Sequence, residues 1–139
     1  MTAASLALVR TVDQATIDRY AQASGDFNPI HVDPVYAAKS PFGRTIAHGL
    51  MTLAYVADML NRWSGGRFDE AGEIEVTFVG PVFVGDTVEI SGVAEEHVER
   101  DGQECLRIKL RVTAGERLIL TGYAIHLDTK TGSSTCAKL

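Results

Sequence analysis

The stretch Ala47-His48-Gly49-Leu50-Met51-Thr52-Leu53-Ala54-Tyr55-Val56-Ala57-Asp58-Met59-Leu60-Asn61-Arg62-Trp63 is the longest apolar run of the chain and decides how the rest is read. Leu50, Met51, Leu53, Ala54, Val56, Ala57, Met59 and Leu60 wrap most of a helical circumference, so the spacing predicts one helix over 47–63. A helix apolar nearly all round is expected to be buried. Ser64-Gly65-Gly66 supplies its stop. Beyond it the period falls to two. Ile74, Val76 and Phe78 share one face of 73–79, and Gly80-Pro81 predicts a kink and Gly85-Asp86 a turn. A long strand is expected over 87–99, and Asp101-Gly102 is a strong hairpin signal. Leu106, Ile108, Leu110 and Val112 then oppose Arg107, Lys109, Arg111 and Thr113, which is the pattern of a strand with one wet face. Residues 118–127 are apolar on both faces and read as central. One buried helix lying across about five antiparallel strands is an α+β architecture.

Upstream, Ser5 to Arg10 reads as a short strand. Thr11 with Gln14 reads as a capping box opening a helix that runs to about Ser24, with Ile17, Tyr20, Ala21 and Ser24 on one face. Gly25 is its expected stop. Asp26 to Pro34 is expected as a structured loop, and Asp33 as the N-cap of a helical turn over 35–39.

Composition bounds the function. The 139 residues predict one domain over 1–128, followed by a polar tail over 129–139 that is expected to be mobile. Hydrophobic residues are 45% and charged residues 22%, the balance of a globular protein. A net charge of −5 gives no field favouring nucleic acid or an anionic membrane. No run of about 18 apolar residues predicts a membrane span, and residues 1–10 lack the layout of a signal peptide. Cys105 and Cys136 form no paired pattern, so no disulfide framework is expected and a reducing cytoplasm fits. No nucleophilic role is read for either cysteine.

The chemistry concentrates in Tyr20 to Asp33. Asp26 and His31 set a carboxylate and an imidazole five residues apart around Asn28-Pro29. Adding water to a double bond conjugated with a thioester needs a base for water, an acid for the α-carbon, and donors for the enolate oxygen. Asp26 and His31 offer the first two. Gly49 offers the third, a backbone N–H at a helix start that substrate can approach closely. Each has a plain structural alternative on the residues alone: an Asx turn for Asp26, a satisfied polar side chain for His31, close helix packing for Gly49. Asn28 reads as loop-fixing and His48 as a packing or capping residue at the helix start. His97 and His126 read as structural members of strands.

The run Ser24-Gly25-Asp26-Phe27-Asn28-Pro29-Ile30-His31-Val32-Asp33 resembles the hydratase-2 motif of the MaoC-like (R)-specific enoyl-CoA hydratases. Thr45 to Met51 and Phe78 to Asp86 also resemble that family, so the likeness spans about residues 5–128. It implies a hot-dog fold, in which a five-stranded antiparallel sheet wraps a long central helix, and a homodimer, alone or paired as a dimer of dimers, with an acyl-thioester tunnel near its interface. It implies Asp26 and His31 as the catalytic dyad, Asn28 as its loop support and Gly49 as the oxyanion donor. The implied substrate is an acyl-CoA or acyl-ACP thioester, with no metal or redox cofactor. Some members carry a serine two turns after the His-Gly pair, where this chain has Ala54 to Asp58. Three other activities stay open: dehydration in the reverse direction, thioester hydrolysis using Asp58, and a non-catalytic acyl-binding subunit. Lys39, Arg44, Arg62 and Arg67 are candidates for the CoA phosphates, none of them selected by the sequence.

Overall fold

The computed structural model describes residues 5–127. The expected tail over 129–139, Cys136 included, lies outside the described residues. The elements run β1 (Ser5–Thr11), α1 (Gln14–Ser24), α2 (Pro29–Val32), α3 (Pro34–Ala38), α4 (Gly49–Ser64), α5 (Phe68–Ala71), β2 (Glu73–Phe78), β3 (Thr87–Arg100), β4 (Gln103–Ala114) and β5 (Arg117–Leu127). All five strands form one antiparallel sheet in the order β1-β3-β4-β5-β2. The β3–β4 ribbon turns at Asp101 and Gly102, both at positive φ, as the hairpin signal requires.

The alternation of β4 is realised residue by residue. Ile108, Leu110 and Val112 are fully buried against α4, while Lys109 and Arg111 are exposed. Met51, Val56, Met59 and Leu60 of α4 meet them, with Val88 and Ile90 of β3 completing the core. Each such side chain contributes roughly 1.5–3 kcal/mol by leaving water. β5 lies inside the sheet with neighbours on both edges, although β4 is the central strand. His126 packs edge-on to Trp63 of α4, in the structural setting expected for it.

Three expectations need correction, and one element was not anticipated. The cap of α1 is Asp13, whose carboxylate accepts the Thr16 N–H and hydroxyl at 2.8 and 2.7 Å. Thr11 is instead the last residue of β1, paired with Thr87. The Thr16 hydroxyl, then its N–H, hold the Asp13 carboxyl below the usual carboxylate range. The segment after Gly25 contains a one-turn helix, α2, rather than loop throughout. The short helix α5 between α4 and β2 carried no recognised signal. Finally, α4 is buried on one face only: Leu50 is 61% exposed and Ala54 is exposed too. Tyr55, half-buried on this helix, has its hydroxyl pKa raised by loss of solvent.

Candidate active site

The segment between α1 and α4 is held by capping hydrogen bonds set close together along the chain. Gly25, at φ 79°, closes α1 by donating its N–H to the Ala21 carbonyl. Asp26 Oδ1 accepts the Asn28 N–H at 3.1 Å, forming an Asx turn. Asn28 Oδ1 in turn accepts the Ile30 N–H at 3.1 Å and caps α2, with Pro29 at the first helical position. Asp33 then caps α3 through the Val35 and Tyr36 N–H groups. An Asn cap followed by Pro is a helix-start signal, so α2 was detectable in the sequence.

A second strap fixes the other side. The loop after β2 pairs with residues 45–47: Ala47 N–H donates to Val82 O at 2.8 Å, and Val84 N–H to Thr45 O at 3.0 Å. This holds the Ile46 carbonyl where His31 Nδ1 reaches it at 2.8 Å. Because a carbonyl only accepts, His31 Nδ1 must carry the proton, and the neutral ring presents its lone pair at Nε2. Gln14 at the start of α1 ties the straps together. Its amide nitrogen donates to the His31 carbonyl at 2.8 Å and to Asp18, and its oxygen accepts the Thr45 hydroxyl.

His31 Nε2 then faces Asp26 Oδ2 across 4.0 Å. His31 is only 12% exposed at its side chain, whereas that of Asp26 is 54% exposed and reachable from solvent. One water bonded to both atoms at about 2.8 Å spans such a gap.

His48, 3% exposed, completes the cluster. Its Nε2 donates to the Asp26 carbonyl at 2.9 Å, and its ring stacks on His31 with centroids 3.8 Å apart and planes 23° apart. It stands at the N-cap position of α4 but makes no side-chain capping bond. The sequence placed it at the helix start; its reach across to Asp26 is tertiary and leaves no local signal. Asp26, His31 and His48 offer ligand atoms within 4.8 Å of one another. A zinc ion needs nitrogen lone pairs converging at about 2.0–2.1 Å. Stacked rings send theirs side by side, and His31 Nδ1 and His48 Nε2 are already committed to carbonyls, so the set fits a metal poorly.

Gly49 follows His48 as the first residue of α4, where its N–H has no acceptor among the described residues. A methyl group built on Gly49 would meet only the Phe78 ring, at an ordinary 3.5 Å, so helix packing does not demand glycine here. Phe78 and Leu50 are 48% and 61% exposed and give this N–H an apolar border.

The other candidates are placed elsewhere. Asp58 lies nine residues along α4 from Gly49, roughly 13 Å away, and pairs with Arg10 and Arg62 at 3.3 and 2.9 Å. Arg44 lies over the Phe83 ring at 4.3 Å, Lys39 is exposed at the end of α3, and Arg67 is half-buried. A cavity of about 310 Å³ between Glu73, Arg100, Arg107 and Tyr123 contains none of Asp26, His31, His48 or Gly49.

A family model described as the MaoC like domain matches residues 4–116. The chain belongs to the MaoC-like family. Two relatives sharpen this. The 3-hydroxybutyryl-CoA dehydratase of Methylorubrum extorquens is 32% identical over 85% of this chain and 74% of its own length. The (R)-specific enoyl-CoA hydratase of Aeromonas caviae is 32% identical over 80% of this chain and 82% of its own. The solved (R)-hydratase from A. caviae, involved in PHA biosynthesis, superposes with a TM-score of 0.78, covering 92% of this chain and 97% of that one at 26% identity. The unliganded R-hydratase PhaJ1 from Pseudomonas aeruginosa gives a TM-score of 0.79 at 22% identity, over 91% of this chain and 81% of that one. The fold of this MaoC-like chain is therefore the hot-dog fold, and the chain is an enzyme of the hydratase/dehydratase kind. No described helix is long and apolar enough to cross a membrane.

Proposed function

We propose that this MaoC-like protein hydrates a trans-2-enoyl thioester to the (R)-3-hydroxyacyl thioester, reversibly. The observation that carries the reading is the 4.0 Å gap between Asp26 Oδ2 and His31 Nε2, with the His31 tautomer set by the Ile46 carbonyl. In this reading the substrate carbonyl oxygen rests on the Gly49 N–H. A water held between Asp26 and His31 attacks C3 while one of the pair takes its proton. Electrons move from the C2–C3 double bond towards the carbonyl oxygen, where the helix start stabilises the enolate. A proton returned to C2 completes the addition. Asn28 supports the dyad by capping α2 and spacing Asp26 from His31. The reaction is redox-neutral, and the reading uses no metal or redox cofactor.

Both directions use the same groups, in keeping with the hydratase and dehydratase among the relatives. The acyl carrier is CoA in this reading, with ACP as the alternative. The exposed Leu50, Phe78 and Val79 beside Gly49 support a homodimer that covers them and encloses the acyl chain. The ion-paired Asp58 speaks against hydrolysis from the central helix.

The test is crotonyl-CoA with purified protein, following loss of the enoyl-thioester absorbance and assigning the product's configuration, with Asp26→Asn alongside. Loss that depends on Asp26 and yields the (R)-3-hydroxy product is expected. Asp26-independent turnover, or release of free CoA without hydration, overturns the reading.

A further inference from the structure

We propose that His48 is a positioning residue of this site: its Nε2–H anchors the Asp26 backbone and thereby sets the distance between Asp26 and His31. Four observations lead here. His48 is 3% exposed, although it stands next to Gly49, which is open to solvent. Its Nε2 donates to the Asp26 carbonyl at 2.9 Å, the one hydrogen bond from the α4 end to the Asp26 backbone among the described residues. Its Nδ1 is buried with no partner among the described residues, so the ring's polar function rests on that single donated bond. Its face lies on His31 at 3.8 Å and tilts against Tyr20 at 4.9 Å, which leaves little freedom to swing.

The remaining bonds of Asp26 are short-range. Its N–H donates to Ser24 Oγ and its Oδ1 accepts the Asn28 N–H, both within two residues. These bonds shape the turn locally but do not tie it to α4. Other bonds join the two straps further along, from Ile46 N–H to Ile30 O and from His31 Nδ1 to Ile46 O, but among the described residues the direct hydrogen bond from the α4 end to Asp26 itself is that of His48. Two residues, His31 and His48, thus bond backbone carbonyls of each other's neighbourhoods: His31 reaches Ile46, and His48 reaches Asp26. A buried aromatic ring that merely filled space would give the stacking without the donor, and substitution separates the two roles.

The kinetic half of this proposal rests on the hydration reading; the structural half does not. The experiment compares His48→Phe, which keeps a stacking ring and removes the donor, with His48→Gln, whose amide N–H stands near the Nε2 position. Circular dichroism and thermal melting establish folding for each, and His48→Leu replaces His48→Phe if the latter does not fold. Expected for His48→Phe is a kcat lower by roughly 10²-fold with KM within about threefold, the cost of a misplaced reacting group. His48→Gln should recover kcat to within about tenfold of wild type. By NMR, the Asn28 amide should exchange faster in His48→Phe than in wild type or His48→Gln. Retained kcat and unchanged Asn28 exchange in folded His48→Phe overturn the proposal, as does equal loss in both folded variants. If the wild type turns over no enoyl thioester, the hydration reading fails, and the exchange comparison alone decides this one.

Discussion

Two regions of the molecule are built by different physics. The sheet with α4 is held by apolar burial: Ile108, Leu110, Leu120, Val56 and Leu60 are all at 0% exposure. The segment from Gly25 to His48 buries only Ala37, Thr45, Ala47 and His48 among its residues. It is shaped instead by individual hydrogen bonds: Asp26, Asn28 and Asp33 accept backbone N–H groups, and His31 and His48 donate to carbonyls. Burial is shared over many contacts and tolerates small shifts. A hydrogen bond with one partner does not, which suits a region whose output is a distance between two atoms. Damage to the first region should therefore read out in stability, and damage to the second in rate.

The largest expected effect tests the second half of that contrast. His31→Gln should lower kcat by roughly 10²–10⁴-fold, the range for a lost acid–base group, while the melting temperature changes little; near wild-type turnover breaks the distinction. Next, Leu110→Ala removes a core side chain with 0% exposure. It should cost about 2–5 kcal/mol in urea unfolding, with kcat per folded molecule unchanged; a large kcat loss without destabilisation would show the sheet acting directly on the chemistry. The smallest effect sharpens the boundary between the regions, at the α1 cap. Hydrogen bonds from Thr16 lower the Asp13 pKa in the fold from 3.8, so the folded state favours the carboxylate. Its contribution is present above the unfolded pKa and fades as pH falls through the lower folded value. Asp13→Asn should flatten the fall of stability below about pH 4 seen by thermal melting; an identical acid limb would remove Asp13 from that account.

What the sequence showed of each region follows the same division. The strands were legible because burial repeats: Leu106, Ile108, Leu110 and Val112 announce a face whatever lies opposite. Gly25 and Gly65 were legible as helix stops because both adopt positive φ, where glycine is favoured. Asp33 was legible as a cap because capping is local. Thr11 was misread because Thr11-x-x-Gln14 and Asp13-x-x-Thr16 overlap, and pairing of Thr11 with Thr87 is a long-range fact. The one-sided burial of α4 escaped because composition reports apolar character and not whether another surface meets it. The roles of Gln14 and His48 escaped for a stronger reason: each bonds a main-chain carbonyl 17 or 22 residues away, and a carbonyl has no identity in sequence.

The strand order carries a kinetic consequence. β3, β4 and β5 form a meander of neighbours in sequence, while β1 and β2 sit on opposite edges of the sheet. The chain between those edge strands, from Val12 to Gly72, holds every group of the site and spans the sheet's width, roughly 19 Å at about 4.8 Å per strand spacing. Until both edges have docked, one end of that span is loose, and α4 has no complete surface to lie on. Pairing β1 with β3 closes a loop of some 75 residues, between Thr11 and Thr87, a contact that costs chain entropy before it returns any. Catalytic competence should therefore arrive as a late event in folding, after the meander has formed and both edge strands have joined it.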